Sequence, residues 1–368
     1  MAALAVLFGG PSPEHDISIL TGLQVARILA NAGEDVSGLY WSKSGEWHQV
    51  PPSLEASDFV DGPPRSAVPF RLVLGPGGGF AEEKRKRRGV AFDAAVNCCH
   101  GGPGEDGALQ AALDLAGVAY TGPSAASAAL AMDKAATHAL GAAAGLAVAD
   151  QALMGTEHVE VDFPGPYIVK PRFGGSSIGI EVVEDLATAQ ALSASSRHLR
   201  DGAVIERHLT GWVDLNIAAR AYPSPELSAI ERPLRKPDGS IFTYAEKYLS
   251  GSAAGMEHAP RELPAQLPEG VTEAIHHAAR TLIVAARIRG VARIDFLWDG
   301  GDHVVFNEIN SIPGAMALHL WEAGGETKLA TVRHLIDEAR ARPARVWSSA
   351  GADGTALRSA GAIAAKLS

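Results

Sequence analysis

Two short segments near the C-terminus carry residues suited to metal and phosphate chemistry: Arg293-Ile294-Asp295 and Asn307-Glu308-Ile309-Asn310. Side chains alternate along a strand, so Arg293 shares a face with Asp295, and Glu308 with Asn310. Between them Asp299-Gly300-Gly301 is a hairpin signal. Folding there gathers Asp295, Glu308 and Asn310, with Arg293 beside them. Oxygen donors with two carboxylates suit Mg²⁺ or Mn²⁺, whose remaining positions go to waters and substrate phosphates. Phosphoryl transfer needs such a metal and a fixed cation for the charge that develops. A surface ion-pair cluster has the same composition, and the pattern alone leaves both open.

A second constellation runs Lys170-Pro171-Arg172-Phe173-Gly174-Gly175-Ser176-Ser177-Ile178-Gly179. A strand delivers a lysine, and small residues let successive backbone N–H groups close around phosphate oxygens. Such a loop can also shut over a site. It is not a Walker A loop, because no Lys-Ser/Thr ends it and no helix follows. A plain hairpin turn would contain the same glycines.

The elements that must position these groups can be read from periodicity. Ala3 to Phe8 is a buried-strand run stopped by Gly9-Gly10-Pro11, then a helix runs from about Glu14 to Ala32, then a strand from Val36 to Trp41. This β-loop-α-β start predicts a parallel sheet with ligands at the strand C-ends. Residues from about Ser53 to Arg88, rich in Pro, Gly and charge, read as an excursion from it. Phe92 to Cys99 is a strand, His100 to Gly107 a glycine-rich loop, Gly107 to Ala116 a helix, Val118 to Thr121 a strand. Gly122 to Asp150 reads as alanine-rich helix with Ser124 as its N-cap. Strands follow at Tyr167 to Pro171, Ser177 to Val183, Ala203 to Glu206, Leu215 to Tyr222 and Leu227 to Arg232. A long helix, Glu273 to Arg289, precedes the strand pair Val291 to Trp298 and His303 to Asn307. These boundaries divide the chain into an N-terminal α/β domain (1–121), a central α+β domain (122–210), a C-terminal α+β domain (211–342) and a tail (343–368) rich in Ala, Gly and Ser.

Bulk properties narrow the partners. With 368 residues, 46 % hydrophobic and 20 % charged, the chain is that of a multidomain globular protein. A net charge of −10 argues against nucleic acid, and the basic run Lys84 to Arg88 reads as a solvated loop. Cys98 and Cys99 are adjacent, unsuited to bridging or to metal spacing, which predicts a reducing compartment. Met1 to Phe8 reads as a strand, not a signal peptide. No apolar run is long enough for a bilayer, so a cytoplasmic protein without membrane partners is expected.

The ordered motifs resemble those of the ATP-grasp superfamily, and of its D-alanine–D-alanine ligase family in particular, over roughly residues 3 to 325. They are Gly9 to Ser18 (with Glu14-His15-Asp16-Ile17-Ser18), His100-Gly101-Gly102-Pro103-Gly104-Glu105-Asp106-Gly107, Ala131-Met132-Asp133-Lys134, the Lys170 loop, Tyr244-Ala245-Glu246-Lys247-Tyr248, Arg293-Ile294-Asp295, and Asn307 to Gly314. The resemblance implies an ATP-grasp fold and an ATP-dependent ligase. It would phosphorylate one amino acid's carboxylate and couple the acyl phosphate to an amine, D-Ala plus D-Ala being the leading pair, in peptidoglycan biosynthesis. Lys134, Lys170 and Lys247 would hold ATP phosphates, with Ser176 and Ser177 in the loop. Glu206 and Leu209 would meet adenine, and Asn307 would join the nucleotide site. Asp295, Glu308 and Asn310 would hold Mg²⁺ or Mn²⁺. Glu14 would bind the first ammonium, in a hydrogen-bonded group with Ser176 and Tyr248, with His100 lining that subsite. Arg293 and the Gly314 N–H would stabilise the oxyanion. His319 and Leu320 fall at the second-substrate subsite. Family members are often homodimers.

Two stretches depart from the family. The ribose-binding glutamate has Val213 at its place, with Asp214 one residue late; a one-residue shift turns a strand side chain to the other face unless a bulge restores it. After Gly314 the chain runs Ala315-Met316-Ala317-Leu318-His319-Leu320-Trp321-Glu322, several residues short, with His319 nearest the place of a serine that helps hold the second carboxylate. His319 could face the cleft or turn outward. A dedicated biosynthetic ligase with another amine is therefore the runner-up, and a nucleotide-binding regulatory relative the non-enzyme alternative. Among single residues, His15 reads as a surface or cap residue, Tyr244 as packing, and Cys98, Cys99 and Met132 as core.

Overall fold

The computed structural model describes residues 3–83, 92–154, 161–234, 260–342, 345 and 347–360. Its first sheet is built on β1 (Leu4–Gly9), a strand buried on both faces, as a central parallel strand must be. Helix α1 (His15–Asn31) returns the chain to β2 (Val36–Trp41). Gly22 brings α1 down onto β1: a Cβ there would lie 2.4 Å from the Phe8 side chain. The sheet continues through β3 (Trp47–Val50), β4 (Val68–Val73) and β5 (Gly79–Glu82), all antiparallel, while β6 (Ala94–Asn97) pairs parallel with β1 on the other side. The order is β5-β4-β3-β2-β1-β6. This corrects the reading of 53–88 as an excursion: β4 and β5 extend the same sheet. Lys84 to Arg88 lies outside the described residues.

Helices α2 (Gly102–Glu105) and α3 (Ala108–Ala116) follow β6. The alanine-rich segment is two helices, α4 (Ala125–Met132) and α5 (Lys134–Ala143), because Asp133 leaves the helical conformation and caps the second from its carboxylate. A four-stranded antiparallel sheet comes next, ordered β7-β10-β8-β9, from β7 (Gln151–Met154), β8 (Tyr167–Pro171), β9 (Glu181–Val183) and β10 (Ala203–Arg207), with α6 (Leu186–Ser195) on it. The strand expected from Ser177 begins only at Glu181.

The third sheet, order β13-β12-β11-β14-β15, is wholly antiparallel. It comprises β11 (Val213–Arg220), β12 (Glu226–Pro233), β13 (Arg261–Glu262), β14 (Val291–Trp298) and β15 (Val304–Asn310). Helix α7 (Glu269–Ala285) covers one face, burying Leu215, Ile217, Ile230, Ile294, Phe296 and Ile309 against Ile275, Ala279 and Leu282. Helices α8 (Leu318–Ala323) and α9 (Lys328–Ala341) place Trp321, Val332, Leu335 and Ile336 in one core with Leu4, Val6 and Phe8, tying the C-terminal chain to the first sheet. Among the described residues no helix is long and apolar enough to cross a membrane.

Candidate active site

The face of the third sheet turned away from α7 carries a polar row. In register across β12, β11, β14 and β15 stand Glu231, Asn216, Asp295 and Glu308. Directly opposed residues share a face, so strict alternation places these four side chains together. Arg293 Nε and Nη2 each donate to the Asp295 carboxylate at 2.7 Å, and Asn310 Nδ2 donates to Asp295 Oδ2 at 3.0 Å. The Asn216 amide, with its nitrogen toward Asp295, lies 3.2 Å from Oδ1. Burial raises the Asp295 carboxyl above the ordinary aspartate range; Arg293 opposes this, while Glu308 and Asp214 add to it.

A β-bulge then changes the parity. Asp295 pairs with Glu308 but Phe296 with Phe306, leaving Asn307 as the extra residue. Both Asn307 and Glu308 consequently reach the cleft. Asn307 Oδ1 accepts from Lys170 Nζ at 3.0 Å, and Glu308 Oε2 lies 3.2 Å from Lys134 Nζ. Lys170, buried on β8, also donates to Glu206 Oε2 at 2.6 Å, whose Oε1 accepts from Gln151 Nε2 at 2.8 Å. Burial alone would lower the Lys170 ammonium; Glu206, Glu308 and Asp214 outweigh it and hold it above its ordinary value. Lys134 Nζ donates to the Gly174 carbonyl at 2.5 Å, and Arg172 is fixed by two hydrogen bonds to Asp133, at 2.8 and 2.6 Å. Three cations thus sit around the root of the glycine-serine loop.

In that loop Ser176 and Ser177 adopt left-handed backbone, φ 55° and 59°. The Ser176 hydroxyl donates to Glu14 Oε1. Glu14 is the residue before α1, yet its side chain makes no cap bond. It points at two glycines instead: a Cβ on Gly101 would come within 2.3 Å of Glu14 Oε2, and one on Gly175 within 3.2 Å. Burial raises the Glu14 carboxyl, with Ser176 and Lys134 opposing.

The first domain also grips the turn after β15. Ala315 N donates to Thr21 Oγ1 at 3.1 Å, Thr21 Oγ1 lies 2.8 Å from His100 Nε2, and His100 Nδ1 lies 2.7 Å from the Ile312 carbonyl. The carbonyl can only accept, so Nδ1 carries a proton. Burial pushes His100 down to about 4, and in the neutral ring this favours, Nε2 accepts from the Thr21 hydroxyl. His100, expected to line the first amino-acid subsite, thus has both ring nitrogens engaged with protein. Glu105 accepts from the N–H groups of Gly101 (3.0 Å) and Ile312 (2.9 Å), and from the Ser311 hydroxyl at 3.4 Å. Burial, reinforced by Glu14, raises it to about 7. Thr21 and Glu105 were not singled out from the sequence, although Glu105 stands inside the His-Gly-x-x-Gly-Glu-Asp-Gly motif. His15, read as a surface or cap residue, is instead buried, bound to the Gly10 carbonyl (2.7 Å) and the Tyr40 hydroxyl (3.2 Å).

The two departures resolve in the structure. Val213 packs toward the α7 core, while Asp214, two residues before Asn216, lies on the cleft face and its charge reaches Lys170 and Asp295. No bulge interrupts β11 against β14 from Val213 to Arg220. After Gly314, the residues Ala315, Met316 and Ala317 are all left-handed, φ 49°, 51° and 50°. This tight turn starts α8 at Leu318 and sets His319 Nε2 3.3 Å from Glu231 Oε2, while Arg261 Nη1 lies 2.9 Å from Glu231 Oε1. Burial would raise Glu231, but His319 and Arg261 hold it below the usual range. The Leu320 side chain is fully buried in the core shared with the first sheet, so only its backbone could serve a substrate. The Leu209 carbonyl accepts from Trp212 N at 3.2 Å within a turn. Lys247 and Tyr248 lie outside the described residues.

The donors fit a hard divalent cation. Two carboxylates stand in opposed register, a third acid is near, and Arg293 and Lys134 supply the balancing charge. Among the described residues no three His, Cys, Asp or Glu side chains form a metal-holding group, so the Asn310 oxygen, waters and phosphate would have to complete the shell.

Residues 3–123 match the D-Ala–D-Ala ligase N-terminal family model and residues 144–338 the C-terminal one. The D-alanine–D-alanine ligase of Chlorobaculum tepidum is 31 % identical over 338 residues, covering 84 % of this chain and 88 % of that protein. That of Sodalis glossinidius is 30 % identical over 359 residues, covering 92 % and 95 %. The fold is shared with the VanG D-Ala:D-Ser ligase of Enterococcus faecalis (TM-score 0.74, 22 % identity, 92 % of this chain and 99 % of that one). It is shared too with the D-alanine–D-alanine ligase of Coxiella burnetii (TM-score 0.74, 24 % identity, 93 % and 96 %). With its polar cleft between matching N- and C-terminal parts, the chain belongs to the D-alanine–D-alanine ligase family of ATP-dependent carboxylate–amine ligases.

Proposed function

We propose that the chain uses ATP to phosphorylate the carboxylate of a small amino acid, with D-alanine the leading donor, and couples the acyl phosphate to the amine of a second amino acid. The observation that carries this is the convergence of three groups on one cleft: Glu14 with Ser176, the lysines Lys134 and Lys170, and the Arg293–Asp295–Glu308–Asn310 set. Glu14 holds the donor ammonium, which places the donor carboxylate toward the lysines. Lys134 and Lys170 take the ATP phosphates, which frees their present partners: Glu308 would serve the metal and Glu206 the adenine amino group. Asp214 meets the ribose. Asp295, Glu308 and Asn310 would hold Mg²⁺ or Mn²⁺, which would neutralise phosphate oxygens. Arg293 and the Gly314 N–H, fixed by the grip on residues 311–315, face the oxyanion of the coupling step. The acyl phosphate must be kept from water, and the Gly174–Ser177 loop is placed to shut over it.

The second reading, a dedicated ligase with another acceptor, is favoured by the shortened turn at Ala315–Ala317. Incubating the protein with ATP, Mg²⁺ and amino acids of both hands, following ADP release and coupled product, separates the readings. Product from D-alanine alone supports the first; ADP release with D-alanine and product only with another amine supports the second; neither sinks both. A cytoplasmic homodimer is proposed on family likeness, and analytical ultracentrifugation showing only monomer would remove the dimer.

A further inference from the structure

The root of the glycine-serine loop is stitched to the start of α5. Asp133 stands between α4 and α5 and is buried, and its carboxylate has two tasks. Oδ1 caps α5, accepting from Ala135 N at 3.1 Å and Ala136 N at 3.2 Å. The same carboxylate takes both arms of Arg172, Nε on Oδ1 and Nη2 on Oδ2. Capping requires only a side-chain oxygen, which Asn or Ser also supplies. The planar fork of Arg172 requires a carboxylate. The backbones are joined as well. Lys134 N, a helix-start donor with no partner inside α5, donates to the Arg172 carbonyl at 3.0 Å, and Asp133 bridges Phe173 in antiparallel fashion. Arg172 N in turn donates to the Gly202 carbonyl at 3.0 Å, just before β10. The Lys134 ammonium then reaches over to the Gly174 carbonyl. The start of α5 and the point where the loop leaves β8 are thus set together.

We propose that Asp133 and Arg172 are a positioning pair for the nucleotide phosphates; this rests on the ligase reading above. The pair holds the Lys134 ammonium and the backbone N–H groups of the Gly174–Ser177 loop as one unit, so that both meet the phosphate chain in a fixed relation. Neither Asp133 nor Arg172 touches the phosphates in this role. The Arg172 side chain is 35 % exposed, and an ion pair so placed adds little to stability. What the pair supplies is geometry: without the fork, the loop root can turn on its glycines while Lys134 stays with α5.

The test separates phosphate recognition from folding. Calorimetry gives the Kd of a non-hydrolysable ATP analogue with Mg²⁺, and competition against it gives the Kd of adenosine, which lacks the phosphates. The proteins are wild type, Asp133→Asn, Arg172→Gln, the double variant and Arg172→Lys. Asp133→Asn keeps the helix cap and loses only the fork's partner. Each of Asp133→Asn and Arg172→Gln should weaken the analogue about tenfold, the scale of one charge-assisted contact, and leave adenosine unchanged. The double variant should be no weaker than the weaker single, because both remove one contact. Arg172→Lys, which keeps the charge and loses the fork, should fall between wild type and Arg172→Gln. Unchanged analogue affinity in both singles, adenosine falling in step with the analogue, or fully additive losses in the double variant overturns the assignment. A wild type that binds no analogue sinks the ligase reading and the pair's role with it, a distinct result.

Discussion

The two ends of one cleft, proposed for donor and acceptor, are built on different principles. At the end proposed for the donor, Glu14 lies against backbone: a Cβ on Gly101 would collide with its carboxylate and one on Gly175 would crowd it, and the Ser176 hydroxyl donates to it. At the end proposed for the acceptor, the His319 ring meets Glu231 Oε2, and Arg261 holds the other oxygen of Glu231. Matched machinery lies between them, so the two ends can change independently.

Removing that shared machinery should abolish the comparison altogether. Glu308→Gln takes away one carboxylate of the proposed metal pair and the partner of Lys134; kcat should fall by about 10²–10³-fold with the melting temperature nearly unchanged. EDTA should do the same to wild type, and full turnover in excess chelator contradicts the metal assignment. Lys170→Ala comes next. ATP affinity should drop by about 10–100-fold, the loss of a charge-assisted phosphate contact, and calorimetry reads it directly. Folding should weaken as well, because Glu206 is left buried with only Gln151.

The grip on the turn after β15 sharpens the comparison through pH. Folding raises Glu105 from 4.5 to about 7, so between those values the native chain binds a proton that the unfolded chain has released. Stability should fall as pH rises through that window, by up to about 3 kcal/mol, and level off above it. Glu105→Gln should flatten this slope in denaturant titrations at pH 5 and 7.5; an identical slope refutes the role. Smallest is Asp214→Asn, where a few-fold rise in the KM for ATP is expected, the size of one partly exposed hydrogen bond to a sugar. Val213→Ala should not reproduce it.

What was legible in the sequence was local. Strand alternation alone brings Arg293 to Asp295, and Glu308 to Asn310, and the glycine-serine loop announces itself by composition. The sheet extension was hidden because Pro69 stands inside β4, where proline argues against a strand. The bulge at Asn307 could not be read, since it is defined by a partner strand. Long-range contacts were likewise invisible: Glu231 and His319 are far apart in the chain, and the Thr21–His100–Ile312 path joins three elements. The side on which Asp214 falls depends on β11 register, which motif spacing does not report.

The central claim, a retained donor end and a rebuilt acceptor end, is tested most directly by resolving the two D-alanine KM values in wild-type steady-state kinetics. The prediction is donor saturation below about 1 mM, inside the ordinary enzyme range, and acceptor saturation above about 10 mM, outside it. His319→Ser should move only the acceptor value. An acceptor KM in the low-millimolar range or better would contradict it and restore an unaltered pair of subsites.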